Sequence, residues 1–137
     1  MRAGVILCLA LALTACASTA LAAPRGDWRL TAIDGAPVAE GSQASLRLEE
    51  ARASGSAGCN AFGADVAVVS DQLIFSHIIS TMMACAGRDG ADLMAQEHAY
   101  LGALQAPLKV STPAPGVLVL SAADGRTLRF TRAAPAT

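Results

Sequence analysis

The chain has 137 residues and a formal net charge of −1, with 15% charged residues against 53% hydrophobic ones. Its 10 Lys and Arg residues are scattered and not interleaved with aromatics, which argues against a nucleic-acid-binding surface. Aromatics make up only 4% of the chain, which points to a filled core rather than a roomy cavity.

The N-terminus reads as an export leader. Arg2 supplies a short positive segment, and Val5 to Leu13 is an unbroken apolar run of secretory length, too short to span a bilayer as a helix. Two cleavage sites lie behind it. Leu13-Thr14-Ala15-Cys16 has the form of a bacterial lipobox, in which the Cys16 thiol receives a diacylglyceryl group and becomes the new N-terminus. Residues 1–15 would then be the signal peptide and 16–25 a flexible tether of small residues. The competing site is Ala20-Leu21-Ala22, with cleavage after residue 22 and Ala23 as the first mature residue. Cys16 can also be read as one more apolar residue, like Cys8, but its place directly behind the apolar run and a small-residue pair favours the lipobox. Ala17 after the lipidated cysteine would favour the outer membrane of a Gram-negative cell. Loss of Arg2 takes the net charge from −1 to −2, and about 110 residues remain, the size of one domain.

Short strands dominate the mature chain. Trp28 to Ile33 partly alternates and stops at the turn signal Asp34-Gly35. Ala44 to Leu48 alternates, with Leu46 and Leu48 on one face. Arg52 to Gly58 is small and polar, as a strand with closely approaching neighbours would be. Ala64 to Val69 turns through Ser70-Asp71-Gln72 into Leu73-Ile74-Phe75. The period then changes: Leu93, Met94, Leu101 and Leu104 recur at helical spacing over 89–104, with Asp89 and Asp92 suited to the first turn and Pro107 as the stop. Strands return over Leu108–Val110, Val117–Leu120 and Thr127–Thr131, the last two joined by the hairpin signal Asp124-Gly125. Such a pattern predicts an α+β fold, mainly antiparallel β, in which a curled sheet or partial barrel surrounds one helix.

Four motifs occur in order: Gly58-Cys59-Asn60-Ala61-Phe62; Thr81-Met82-Met83-Ala84-Cys85; a Met94-x-x-Glu97-x-x-Tyr100-Leu101-x-x-Leu104 pattern; and a closing Leu118-x-Leu120, Asp124-Gly125, Leu128-x-Phe130. With these the chain resembles the META domain, or HslJ-like, family of bacterial heat-shock lipoproteins and related envelope proteins. The likeness spans about 26–132, leaving 133–137 as a tail. It implies a lipocalin-like barrel with one helix, structural motif residues Gly58, Asn60, Phe62, Thr81, Met83 and Glu97, and an association with stress response and drug tolerance. It implies no established reaction. Asp65 departs from the pattern, standing near where many members carry a Tyr.

In an exported chain Cys59 and Cys85, 26 positions apart, are the remaining pair of thiols and read as a disulfide, with two free buried thiols as the alternative. There is no Cys-x-x-Cys, and neither His77 nor His98 has ligand spacing to either cysteine, so no metal site is expected. A catalytic thiol would need an adjacent basic group, and none is near in sequence. Glu97 reads as a carboxylate at the edge of the helix face, bonded to a loop backbone or an Arg, in preference to a buried acid. His98 lies about 100° from Glu97 round the helix, so the two would not face each other. His77 reads as a surface or turn residue, Asn60 and Thr81 as backbone-bonding residues at strand ends, and Met82-Met83 as core filler.

No catalytic, cofactor-binding or metal-binding residue is expected. The chain reads as a non-enzymatic envelope protein, a lipoprotein held to the membrane through Cys16, facing the periplasm and acting on an unidentified envelope protein or small ligand. The alternative is a soluble periplasmic or secreted barrel that binds a small molecule or lipid.

Overall fold

The computed structural model describes residues 24–134. The leader, both cleavage sites, Cys8, Cys16, most of the tether and the end of the tail lie outside the described residues.

Among the described residues nine strands and one helix run in the order β1 Gly26–Ile33, β2 Ala36–Pro37, β3 Ser45–Leu48, β4 Arg52–Ser56, β5 Ala61–Val69, β6 Gln72–Ser80, α1 Gly90–Ala103, β7 Leu108–Ala114, β8 Val117–Ser121 and β9 Thr127–Arg132. All pairings are antiparallel, and they join sequence neighbours except for β1 with β3, which skips the short β2, and β1 with β9. Pairing of β1 with β9, Leu30 opposite Phe130, closes eight strands into a barrel. The partial closure expected from the sequence is therefore completed at the β1–β9 seam, while β6 meets β7 only at Gln72 and Leu73. The two-residue β2 carried too little pattern to be foreseen. It folds back through Asp34 and Gly35, both at positive φ (51° and 79°), as a tight hairpin requires.

Alternation sets the core. Leu46, Leu48, Leu118, Leu120, Leu128 and Phe130 point inward and are at most 2% exposed, and burying each contributes about 1.5–3 kcal/mol. In β4, Gly55 has no side chain because the Ser45 carbonyl of β3 occupies the place of a Cβ, the close approach expected of this small-residue strand. At the end of the barrel where β1 starts, the Arg132 guanidinium stacks 4.0 Å over the Trp28 ring and donates to the Arg25 carbonyl at 2.7 Å. Trp28 Nε1 donates to the Pro24 carbonyl at 2.8 Å, so this end holds the incoming chain.

The other end is sealed by α1. Its buried side chains are Gln96, Glu97, Tyr100 and Ala103, continued by Leu104. The expected apolar stripe is thus displaced: Met94 is 40% exposed, and Leu93 and Leu101 are only partly buried. Tyr100 is the plug, edge-on to Phe62 at 5.6 Å and tilted against Phe130 at 6.0 Å, with its hydroxyl donating to the Ser45 carbonyl at 3.1 Å. Burial raises its phenol well above the ordinary value. Met82 and Met83, expected in the core, are 96% and 60% exposed. Asn60 pins the backbone of this segment through the N–H and carbonyl of Met83, which turns the two side chains outward.

Candidate functional site

The motif residues meet at the α1-sealed end of the barrel, where the turn between β4 and β5 passes under the helix. Gly58 permits that passage, since a Cβ there would lie 3.1 Å from the Leu93 carbonyl oxygen. Asn60, 2% exposed, is the hub. Its Nδ2 donates to Glu97 Oε1 at 2.6 Å and to the Met83 carbonyl at 2.9 Å. Its Oδ1 accepts from the Met83 N–H at 2.7 Å and from the Thr81 hydroxyl at 2.9 Å. The Asn60 N–H donates to Glu97 Oε2 at 2.9 Å, and Thr81 Oγ1 in turn accepts from the Ala61 N–H at 3.2 Å. Every hydrogen-bonding capacity of the Asn60 amide is used.

Glu97 is 7% exposed and accepts from both the backbone and the side chain of Asn60. It is therefore the loop-bonded carboxylate the sequence suggested, but inside the structure rather than at the edge of the face. No cation pairs with it among the described residues, so neutral donors alone offset the cost of burying it. Asn60 and Thr81 bond backbone at strand ends as expected, and Phe62 packs inward at 5% exposure.

Cys59 and Cys85 are joined as a disulfide, with Cα atoms 5.6 Å apart, beside this knot. The bond and Asn60 together hold 81–85 against the turn between β4 and β5. Met94 Sδ rests 3.7 Å from Cys59 Sγ. On the barrel exterior, His77 is exposed on β6 with φ 49° and sits 2.9 Å (Nδ1) from Asp65 Oδ2, while Arg52 Nη1 donates to Asp65 Oδ1 at 3.1 Å. Asp65 thus faces two polar neighbours across the strands rather than the core.

Two residues with no sequence-assigned role prove important. Gln96, 8% exposed, accepts from the Ala39 N–H at 2.8 Å and donates to Ser42 Oγ at 2.7 Å, tying 39–42 to the helix. Tyr100 fills the barrel end. A signal was present, because 96, 97, 100, 103 and 104 keep helical spacing, but polar residues at 96 and 97 hid it. Beside Gln96 an open cleft of about 470 Å³ runs between α1 and 36–40, with Val38 and Ile33 below and Glu40, Asp89 and Asp92 at the rim. Among the described residues no group of three or more His, Cys, Asp or Glu is placed to hold a metal ion.

The META domain family model matches residues 13–135. A solved structure described as the NMR structure of the protein from Burkholderia xenovorans is 31% identical, with a TM-score of 0.63, covering 78% of this chain and 81% of that one. Among curated proteins, none matches. With the barrel, the plugging helix and the motif knot in place, the chain belongs to the META domain family.

Proposed function

We propose that this META-domain protein is a non-enzymatic component of the bacterial cell envelope. In this reading it is a lipoprotein carried by Cys16 on the outer membrane, faces the periplasm, and serves stress response or drug tolerance through a partner. The observation that supports a non-enzymatic role is the structural engagement of the motif residues. The Asn60 amide is fully bonded, and Thr81 and the buried Glu97 are both tied to it, so these side chains are engaged in holding the loops. Export is supported by the leader and by a disulfide of a kind that persists in oxidising compartments.

A periplasmic barrel binding a small molecule or lipid is the second reading. Its support is the cleft between α1 and 36–40, since Tyr100 and the inward leucines fill the barrel interior. Fractionation of cells expressing the full chain separates the two. Replacing Cys16 by Ala should move the protein from the membrane pellet to the soluble periplasmic fraction. A wild-type protein already soluble, with Ala23 at its N-terminus, would overturn the anchored reading.

A further inference from the structure

Apart from Met1, the methionines of the chain are Met82, Met83 and Met94, and none is in the core. Met ordinarily fills core gaps. Here all three stand at the surface around the disulfide, at 96%, 60% and 40% exposure, where an apolar thioether adds nothing to barrel packing.

Two of them are held in a fixed setting. Met94 and His98 are one helical turn apart on α1, on the same side, and line one open cleft of about 240 Å³ with Glu97, Leu101, Gly102 and Gln105. Met94 Sδ touches Cys59, whose bonded partner Cys85 is two residues beyond Met83. Met83 itself is clamped through both its N–H and its carbonyl by Asn60, so its backbone is positioned while its side chain is 60% exposed. The Glu97 carboxylate is turned inward to Asn60. Apart from the Gln105 amide, the side-chain donors left at this spot are two thioethers and one imidazole.

We propose that Met94 and His98, with Met83 as a third donor, bind a soft monovalent cation of the Cu(I) or Ag(I) class. Thioether sulfur is a neutral, polarisable ligand that selects Cu(I)-type ions, and imidazole is compatible with them. Hard divalent ions need several oxygen donors, and beside the committed Glu97 this cleft offers one side-chain oxygen, that of Gln105. Zn(II) favours thiolates, which the disulfide does not provide. Such soft ions accept two or three ligands, so a pair on one helix turn plus the exposed loop thioether of Met83 suffices. Sequence spacing between histidines and cysteines could not reveal this, because the donors pair a histidine with methionines.

The test is titration of Ag(I), a redox-stable probe of this class, into the disulfide-intact protein in chloride-free buffer, after confirming that no free thiol is present. Binding is followed by calorimetry and by the NMR shifts of the methionine methyl groups and the His98 ring. One equivalent should saturate the protein and shift the methyls of Met94 and Met83 and the His98 ring together. M94L and H98Q should each weaken binding tenfold or more, M83L several-fold, and M82L less than twofold. Non-saturating binding, or equal binding by wild type, M94L and H98Q, would overturn the proposal. All four positions are exposed, so thermal melts identical to wild type in the absence of Ag(I) are expected and separate lost binding from lost folding.

Discussion

Asn60 decides more than any other residue whether the sealed end of the barrel holds together. Its amide connects Thr81, Met83 and Glu97, and truncation to Ala would leave the buried Glu97 carboxylate with only the backbone N–H of residue 60. We expect Asn60→Ala to lower stability by roughly 3 kcal/mol, since an under-bonded buried charge costs more than a lost neutral bond. The shift of the urea midpoint measures it, and a loss under about 1 kcal/mol would contradict the hub role. Tyr100 offers a second test because it is the sole tyrosine. Burial raises its folded-state pKa, so its contribution is complete below the unfolded value of about 10 and is lost as pH rises toward the folded one. Tyrosinate absorbance should therefore appear later than for a free tyrosine, and cooperatively with loss of structure. Ionisation near pH 10 of a still-folded protein would contradict the plug. These roles were only half legible: the motif spacing singled out Asn60 and Glu97, but their partnership spans 37 positions and nothing local announces it.

Among the elements, the strands were the most readable, because alternation in β3, β5, β8 and β9 follows directly from one face being wet. Gly55 and its small neighbours likewise signalled close strand approach. The helix was placed well and faced wrongly. Its inward face carries Gln96 and Glu97, whose polarity is tolerated only because loops 39–42 and 58–60 supply their partners. Met82 and Met83 were misplaced for a related reason: hydrophobicity argued for the core, while the clamp by Asn60 and the bond at Cys85 hold this segment at the surface. With the Thr81–Ala61 bonds at its start, these two devices secure the segment, so the disulfide matters locally as well as globally. Replacing Cys59 and Cys85 together by Ala should cost about 3.5 kcal/mol by the chain-entropy model. It should also speed amide exchange over 81–89 more than in β8 and β9. Uniform acceleration across the barrel would contradict a local staple.

For the whole molecule, closure of β1 on β9 places the start of the described chain at one pole and the motif knot at the other. A chain tethered near residue 24 therefore presents the disulfide, the exposed methionines and the α1 cleft away from its attachment. That arrangement is the one the proposed anchoring through Cys16 requires. The antiparallel class and single helix were legible from period alone, whereas barrel closure was not, because it depends on pairing between the two ends of the domain. A lipidated, disulfide-stapled envelope domain is tested most directly by the intact mass of the protein from its native membrane fraction, taken with alkylation before and after reduction. We expect a chain beginning at Cys16 with added acyl groups, no alkylatable thiol before reduction and two afterwards. A chain beginning at Ala23, or thiols at Cys59 and Cys85 that alkylate without reduction, would contradict it.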